Sequence, residues 1–191
     1  MSARVSAGTG PANVATGIPV LDHLLTLLAR SGRFELALEL PPDDAEAEVT
    51  DAGRALGEAF APLLRMDGAL GHGSAFMPAD EALAQVALET SPRPLVASNV
   101  DLSDARAGGL GSDLAARFLH AFAHAAGLTL HVRLIDGEDS RHVLEAIFKA
   151  LGVALSQASI LVRSSGVYLC WPCPGASRAR DRPGQSPSSG R

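Results

Sequence analysis

Arg141, His142 and Glu145 stand together in the run DSRHVLEAIFKALGVALSQ (Asp139–Gln157). Residues four apart share one face of a helix, so Arg141 and Glu145 face one way and His142 points to the side. Imidazole and carboxylate groups are ligands for a divalent metal, whereas a guanidinium stays protonated and has no free lone pair. Spacing alone is equally compatible with a capped helix that carries one intrahelical ion pair. A second cluster, Cys170 and Cys173 in CWPC, has the spacing of half a zinc site or of a redox pair. There is no second pair to complete four thiolates, and CWPC follows an apparent strand where a thiol gains no acidity from a helix N-terminus. Two incidental thiols beside a tail are the expectation there.

The element that must position Arg141, His142 and Glu145 is an amphipathic helix. Val143, Ile147, Leu151 and Leu155 form an apolar stripe, with Leu144, Phe148 and Ala154 beside it. Ser140 is placed to cap the first turn, and no proline interrupts the run.

Upstream, the turn-rich GTGPAN segment (Gly8–Asn13) would not hold a long element. The pattern then predicts a helix over 20–31 stopped by Gly32, and an alternating strand over 34–40 broken by Pro41-Pro42. A second helix is expected over 48–64, a loop over 68–73, and strands over 82–88 and 95–100. A helix over 113–126 and a strand over 128–134 precede the helix that carries Arg141. A last short strand is expected over 164–169, with a Ser/Pro/Gly/Arg-rich, disordered tail from Pro174.

The order repeats. RALGEAF (Arg54–Phe60) matches KALGVAL (Lys149–Leu155), and the helix–Gly–strand unit at 20–40 matches 114–134. One such unit cannot bury both faces of its helices alone. The prediction is therefore an α+β fold of two similar halves from internal duplication, each a small mixed sheet with two helices packed on one face. The divisions expected are a flexible N-terminus over 1–13, a first half-repeat with middle strands over 14–100, a second half-repeat over 101–169 and a disordered tail over 170–191.

At 191 residues and 47% apolar, the chain supports one full core or two small halves sharing one. It contains no run of eighteen apolar residues and no apolar secretion signal at the N-terminus, so a cytoplasmic protein without membrane contact is expected. The net charge of −5, with no basic stripe, argues against nucleic acid. An anionic small molecule would need a local cluster of cations.

DSRHVLEAIFKAL resembles the second signature of the imidazoleglycerol-phosphate dehydratases of histidine biosynthesis, in which two adjacent histidines precede an apolar pair and a glutamate. TGIPVLDHLL (Thr16–Leu25) is similar to the first signature. PADEALAQVALETSPRPLV (Pro78–Val96) and AGLTLHVRL (Ala126–Leu134) also look like family segments. The resemblance spans roughly residues 14 to 169. It implies a hydro-lyase of two similar halves, a homo-oligomer with active sites between subunits, two manganese ions, and a small phosphorylated imidazole ligand.

Position by position, the resemblance implies that His23, His142 and Glu145 retain metal-ligand positions. At other ligand positions stand Glu46, Ala47, Thr50, Arg117 and Arg141. One site would comprise Glu46, Arg117, Arg141 and Glu145, and the other His23, Ala47, Thr50 and His142. The first cannot ligate manganese through arginine, so Glu46, Arg117, Arg141 and Glu145 are expected to form ion pairs where the dication stood. For the phosphate, Arg106, Lys149, Ser164 and Ser165, together with His142, match family positions, while a family arginine becomes Gly71 and a family lysine is lost near Arg163. The N-terminal glutamate of the family has no counterpart, and no catalytic residue is assigned. Two outcomes follow from the resemblance: a dehydratase working with a depleted metal site, or a metal-free, non-catalytic relative that binds a phosphorylated ligand or a dehydratase subunit.

Overall fold

The computed structural model describes residues 2–41, 44–100, 106–107 and 110–162. Its elements are β1 (Ser2–Ala7), β2 (Ala12–Ala15), α1 (Pro19–Gly32), β3 (Phe34–Glu39), α2 (Ala45–Leu64), β4 (His72–Ala79), β5 (Ala82–Thr90), β6 (Leu95–Ser98), β7 (Arg106–Ala107), β8 (Leu110–Gly111), α3 (Ser112–Ala126), β9 (Leu128–Asp136) and α4 (Ser140–Ala158). One sheet has the order β1-β3-β2 and a second the order β4-β5-β9-β6. In both, a central strand takes one antiparallel neighbour and one parallel neighbour: β3 lies between β1 and β2, and β9 between β5 and β6. The fold is α+β, and the duplication is visible in this shared pattern, with β4 added to the second sheet.

Each sheet offers one apolar face. In β3, Phe34, Leu36 and Leu38 are buried while Glu35, Ala37 and Glu39 are exposed, the alternation of a half-buried strand. The helices pack on the inner faces and then on each other across the halves, α1 against α4 and α2 against α3. Phe60 of the first half meets Phe122 of the second edge-on, with ring centroids 5.9 Å apart.

The repeated LG dipeptide serves this crossing. A Cβ on Gly57 would lie 2.5 Å from the Phe122 carbonyl oxygen, and a Cβ on Gly152 would collide with the carbonyl of Leu28. The same step of the repeat thus brings α2 onto α3 and α4 onto α1, with backbone against side-chain-free backbone. Gly32 meets the Gly152 carbonyl from the other side.

Local chemistry explains the helix entry that carries the first signature. Ile18 is the N-cap of α1 without a side-chain cap, and Pro19 starts the helix, where its missing N–H costs nothing. Asp22 instead reaches back: its Oδ1 accepts from the Thr16 amide at 2.9 Å and from Thr16 Oγ1 at 2.6 Å. Thr16 is buried, so this pair fixes the angle at which the chain enters α1.

Four expectations are corrected. The N-terminal residues, expected to be flexible, form β1 and β2, because alternating Ala3, Val5 and Ala7 pack against the core while β3 supplies the ladder. Strand β4 occupies residues where only a loop and its sequel were expected. Three of its inward residues are the small Gly73, Ala75 and Ala79, with Met77 partly buried beside them, which leaves a weak hydrophobic signal. Gly32 belongs to α1, and the left-handed residue that ends the helix is Arg33 (φ 56°). The N-cap of α4 is Asp139, not Ser140; its Oδ1 accepts from the amides of Arg141 and His142. The middle strands β4, β5 and β6 belong to the second sheet. The expected strand over 164–169, the tail and the cysteines Cys170 and Cys173 lie outside the described residues.

Candidate functional site

The signature residues gather at two helix crossings that the duplication relates. At the first crossing, α4 supplies Arg141, His142 and Glu145, and α1 supplies His23. Glu145 Oε1 accepts from Arg141 Nε at 3.0 Å, one helical turn away, and lies 3.1 Å from His23 Nε2 across the two halves. The Glu145 side chain is only 13% exposed, whereas Arg141 is 66% exposed. Burial pushes the Glu145 carboxyl up, but the hydrogen bonds from His23 and Arg141 outweigh it and hold the group below its ordinary value. Glu145 is therefore an ionised acceptor whose Oε1 is already shared by two donors.

His142 turns away from Glu145 toward the β4–β5 turn. Its Nδ1 lies 2.5 Å from Glu81 Oε2, and its Nε2 lies 3.2 Å from Asp80 Oδ2. Asp80 adopts the left-handed conformation (φ 46°) that presents both carboxylates to one ring. Glu81 also accepts from the Asp139 amide through Oε1 at 3.1 Å, so it ties the turn to the α4 N-terminus. The Glu81 carboxyl is held below its ordinary value by its own backbone amide and by His142, and the His142 imidazole is raised by the bond to Glu81. An imidazole with a carboxylate at each nitrogen is satisfied as a cation, with both nitrogens donating.

At the second crossing, α3 supplies Arg117 and α2 supplies Glu46. Arg117 Nη1 lies 2.5 Å from Glu46 Oε1, both side chains about half exposed. Asp44 caps α2 through Oδ1, accepting from the amides of Glu46 and Ala47, as Asp139 does in α4. Thr50 directs its hydroxyl to the Glu46 carbonyl at 2.9 Å.

The four residues Glu46, Arg117, Arg141 and Glu145 thus pair as Glu46 with Arg117 and Glu145 with Arg141, one pair at each crossing. Within one chain the ring of His23 meets Glu145, and that of His142 meets Glu81 and Asp80. Among the described residues no group of three or more His, Cys, Asp or Glu side chains converges to hold a metal ion. The donor set explains this. Glu145 is committed to a guanidinium, and the carboxylates around His142 face opposite nitrogens of its ring. Arginine stands at two of the remaining positions. The residues of a single chain do not fit a manganese pair.

Of the residues matched to phosphate binding, Lys149 donates from Nζ to the Pro78 carbonyl at a long 3.4 Å, which leaves the ammonium available. Arg106 lies in β7, and Gly71 has φ 73°. Ser164 and Ser165 lie outside the described residues. Glu81 and Asp80, the partners of His142, were missed in the sequence. They stand in the PADEAL turn, where two adjacent acids between strands could have marked a cation's partner.

Residues 16–155 match the family model described as imidazoleglycerol-phosphate dehydratase. The imidazoleglycerol-phosphate dehydratase of Pelobacter propionicus is 40% identical over 158 residues, 81% of this chain and 81% of that protein. That of Trichlorobacter lovleyi is 41% identical over 156 residues, 80% of each. The fold superposes on the crystal structure of imidazoleglycerol-phosphate dehydratase from Staphylococcus aureus with a TM-score of 0.77 at 31% identity, covering 83% of this chain and 92% of that one. For the Pyrococcus furiosus enzyme, crystallised in complex with (S)-C348, the TM-score is 0.68 at 30% identity, with 86% and 94% covered.

Proposed function

This chain belongs to the imidazoleglycerol-phosphate dehydratase family, and from that premise we propose that it is a dehydratase-type protein of histidine biosynthesis whose dimetal site is reduced. The observation that carries the reduction is the double occupation of Glu145 Oε1 by Arg141 and His23. A carboxylate at a family metal position here meets a cation from its own helix. The ligand class is a small phosphorylated imidazole, for which Lys149 and Arg106 are the retained cations and Ser164, Ser165 and His142 the neighbouring donors.

A second reading rests on the balance of charge at both crossings. Arg141 stands beside Glu145 and Arg117 beside Glu46, so each ligand position taken by arginine is matched by a carboxylate. Loss of ligands without selection would not need such matching. It favours a metal-free, non-catalytic relative that binds the phosphorylated ligand or a dehydratase subunit. In either reading the protein works as a homo-oligomer. No helix among the described residues is long and apolar enough to cross a membrane.

One paired measurement separates the readings. Elemental analysis after purification in excess manganese is combined with a dehydratase assay on imidazoleglycerol phosphate. Turnover with bound metal supports the catalytic reading, and ligand binding without turnover or metal supports the non-catalytic one. Two manganese ions per chain would overturn the reduced site itself.

A further inference from the structure

Away from the signature residues, a cavity of about 510 Å³ opens between residues 8–12, at the β1–β2 turn and the start of β2, and the last two turns of α1. Its floor is apolar, with Ala29 and Phe34 both buried. Its walls carry Thr9, Thr26 and two arginines, Arg30 and Arg33, and no carboxylate lines it. One acid, Glu35, lies against the same turn, where a Cβ on Gly8 or on Gly10 would meet its carboxylate. A Cβ on Gly8 would sit 2.9 Å from its Oε1, and its Oε2 accepts from Ser6 Oγ at 3.4 Å.

Two features of the arginines point to a ligand. Among the described residues, neither Arg30 nor Arg33 has a carboxylate partner, although the chain carries a net charge of −5 and more acids than bases. Arg33 also holds φ 56° and ψ 51° at the position after a helix, which favours glycine because no Cβ then crowds the carbonyl. One cation in the last turn complements the helix dipole, and Arg30 meets that need. The dipole does not call for a second cation on a backbone that disfavours it. The carbonyls of Ala29 and Arg30 are already taken by the Arg33 amide, so the helix end presents little bare negative charge to the cavity.

We propose that this cavity is a second anion site, distinct from the signature residues, which binds the phosphate of a small phosphomonoester. Guanidinium forks match phosphate oxygens, and two of them suit a dianion. The volume is that of a small-molecule site, and the Ala29–Phe34 floor takes a short carbon body. Thr26 gives its hydroxyl proton to the Asp22 carbonyl, so Thr9 and the guanidiniums supply the donors.

The test is calorimetric titration of the full-length chain with glycerol 3-phosphate and with inorganic phosphate at low ionic strength. Wild type is compared with Arg33→Gly, Arg30→Gln and Lys149→Gln. Arg33→Gly relieves the backbone as it removes the cation, so it should keep or raise the melting temperature while weakening binding about tenfold or more. Arg30→Gln should weaken binding similarly, and Lys149→Gln should leave this binding class in place. Amide shifts at Thr26 and Phe34 on phosphate addition would locate it. Unchanged affinity in both arginine variants, complete loss in Lys149→Gln, or no saturable binding in wild type would each overturn the proposal.

Discussion

His23 and Glu145 lie 3.1 Å apart across the seam between the two halves, and the seam repeats the arrangement with other residues. Arg117 holds in α3 the place that His23 holds in α1, and it too meets a carboxylate of the opposite half, Glu46. The carboxylates are not equivalent, however. Glu46 corresponds in the repeat to Arg141, and Glu145 corresponds to Thr50. The two crossings therefore keep one geometry while the signs of their charges have been redistributed, so that each cation ends beside an anion of its own chain.

These pairs should differ in worth. Arg117 and Glu46 are both about half exposed, so a double-mutant cycle on them should return under about 1 kcal/mol in chemical denaturation. Arg141→Ala should cost as little, since its side chain is largely in water. Glu145→Ala removes a mostly buried acceptor from two donors and should cost about 1–2 kcal/mol. A coupling of 3 kcal/mol or more between Arg117 and Glu46 would contradict this account.

The helix crossing itself should be less forgiving. Gly152→Ala drives a methyl group into the Leu28 carbonyl, and neither backbone can rotate away as a side chain would. A loss of about 2–3 kcal/mol is expected from overpacking, with α1 and α4 forced apart. Gly57→Ala, at the same step of the repeat, should behave alike. Equilibrium unfolding of both variants checks it, and a neutral Gly152→Ala would show that the helices have slack.

The duplication could be read from the sequence because packing glycines and apolar stripes are short-range patterns that survive divergence. RALGEAF and KALGVAL carry the crossing in both halves. What was not legible depends on contacts distant in the chain. Strand β1 reads as a flexible leader until β3 supplies its partner. Strand β4 hides because three of its inner residues are glycine or alanine, and it is the residues of α4 such as Gln157 that cover it, as the bond from the Ser74 amide to Gln157 Oε1 shows. The pairing of Arg141 with Glu145 was visible at helical spacing. The Glu81–His142 contact joins residues in separate elements and needed the turn geometry at Asp80 to become visible.

Stability should depend on pH through His142. Its folded value is raised by the bond to Glu81, so its contribution is complete below the unfolded value near 6.5 and fades as pH rises through the folded value. The melting temperature should therefore fall as pH is taken upward from about 6.5. Glu81→Gln removes the partner and should flatten that slope. On the acid side, Glu81 and Glu145 are both lowered, so their contributions hold above about 4.5 and are lost as pH falls through their folded values. A wild-type melting curve without slope above neutral pH, or one that Glu81→Gln leaves intact, would count against the latch between the β4–β5 turn and α4.

The metal content follows from the same charges. Manganese favours oxygen and imidazole donors, and at the two crossings this chain offers guanidinium from Arg117 and Arg141 beside the carboxylates Glu46 and Glu145. A dication approaching Glu145 meets the charge of Arg141 beside Oε1, which also takes His23, and one approaching Glu46 meets the charge of Arg117. Protein purified in excess manganese should hold well under one ion per chain by elemental analysis, and its particle size by light scattering should be indifferent to EDTA. Arg141→His alone should not restore two ions, because Arg117 keeps its charge at the second crossing. The double variant Arg117→His with Arg141→His should raise the metal content, since it returns two imidazoles and removes two positive charges. About two ions per wild-type chain, or a particle that falls apart in EDTA, would overturn the reduced site.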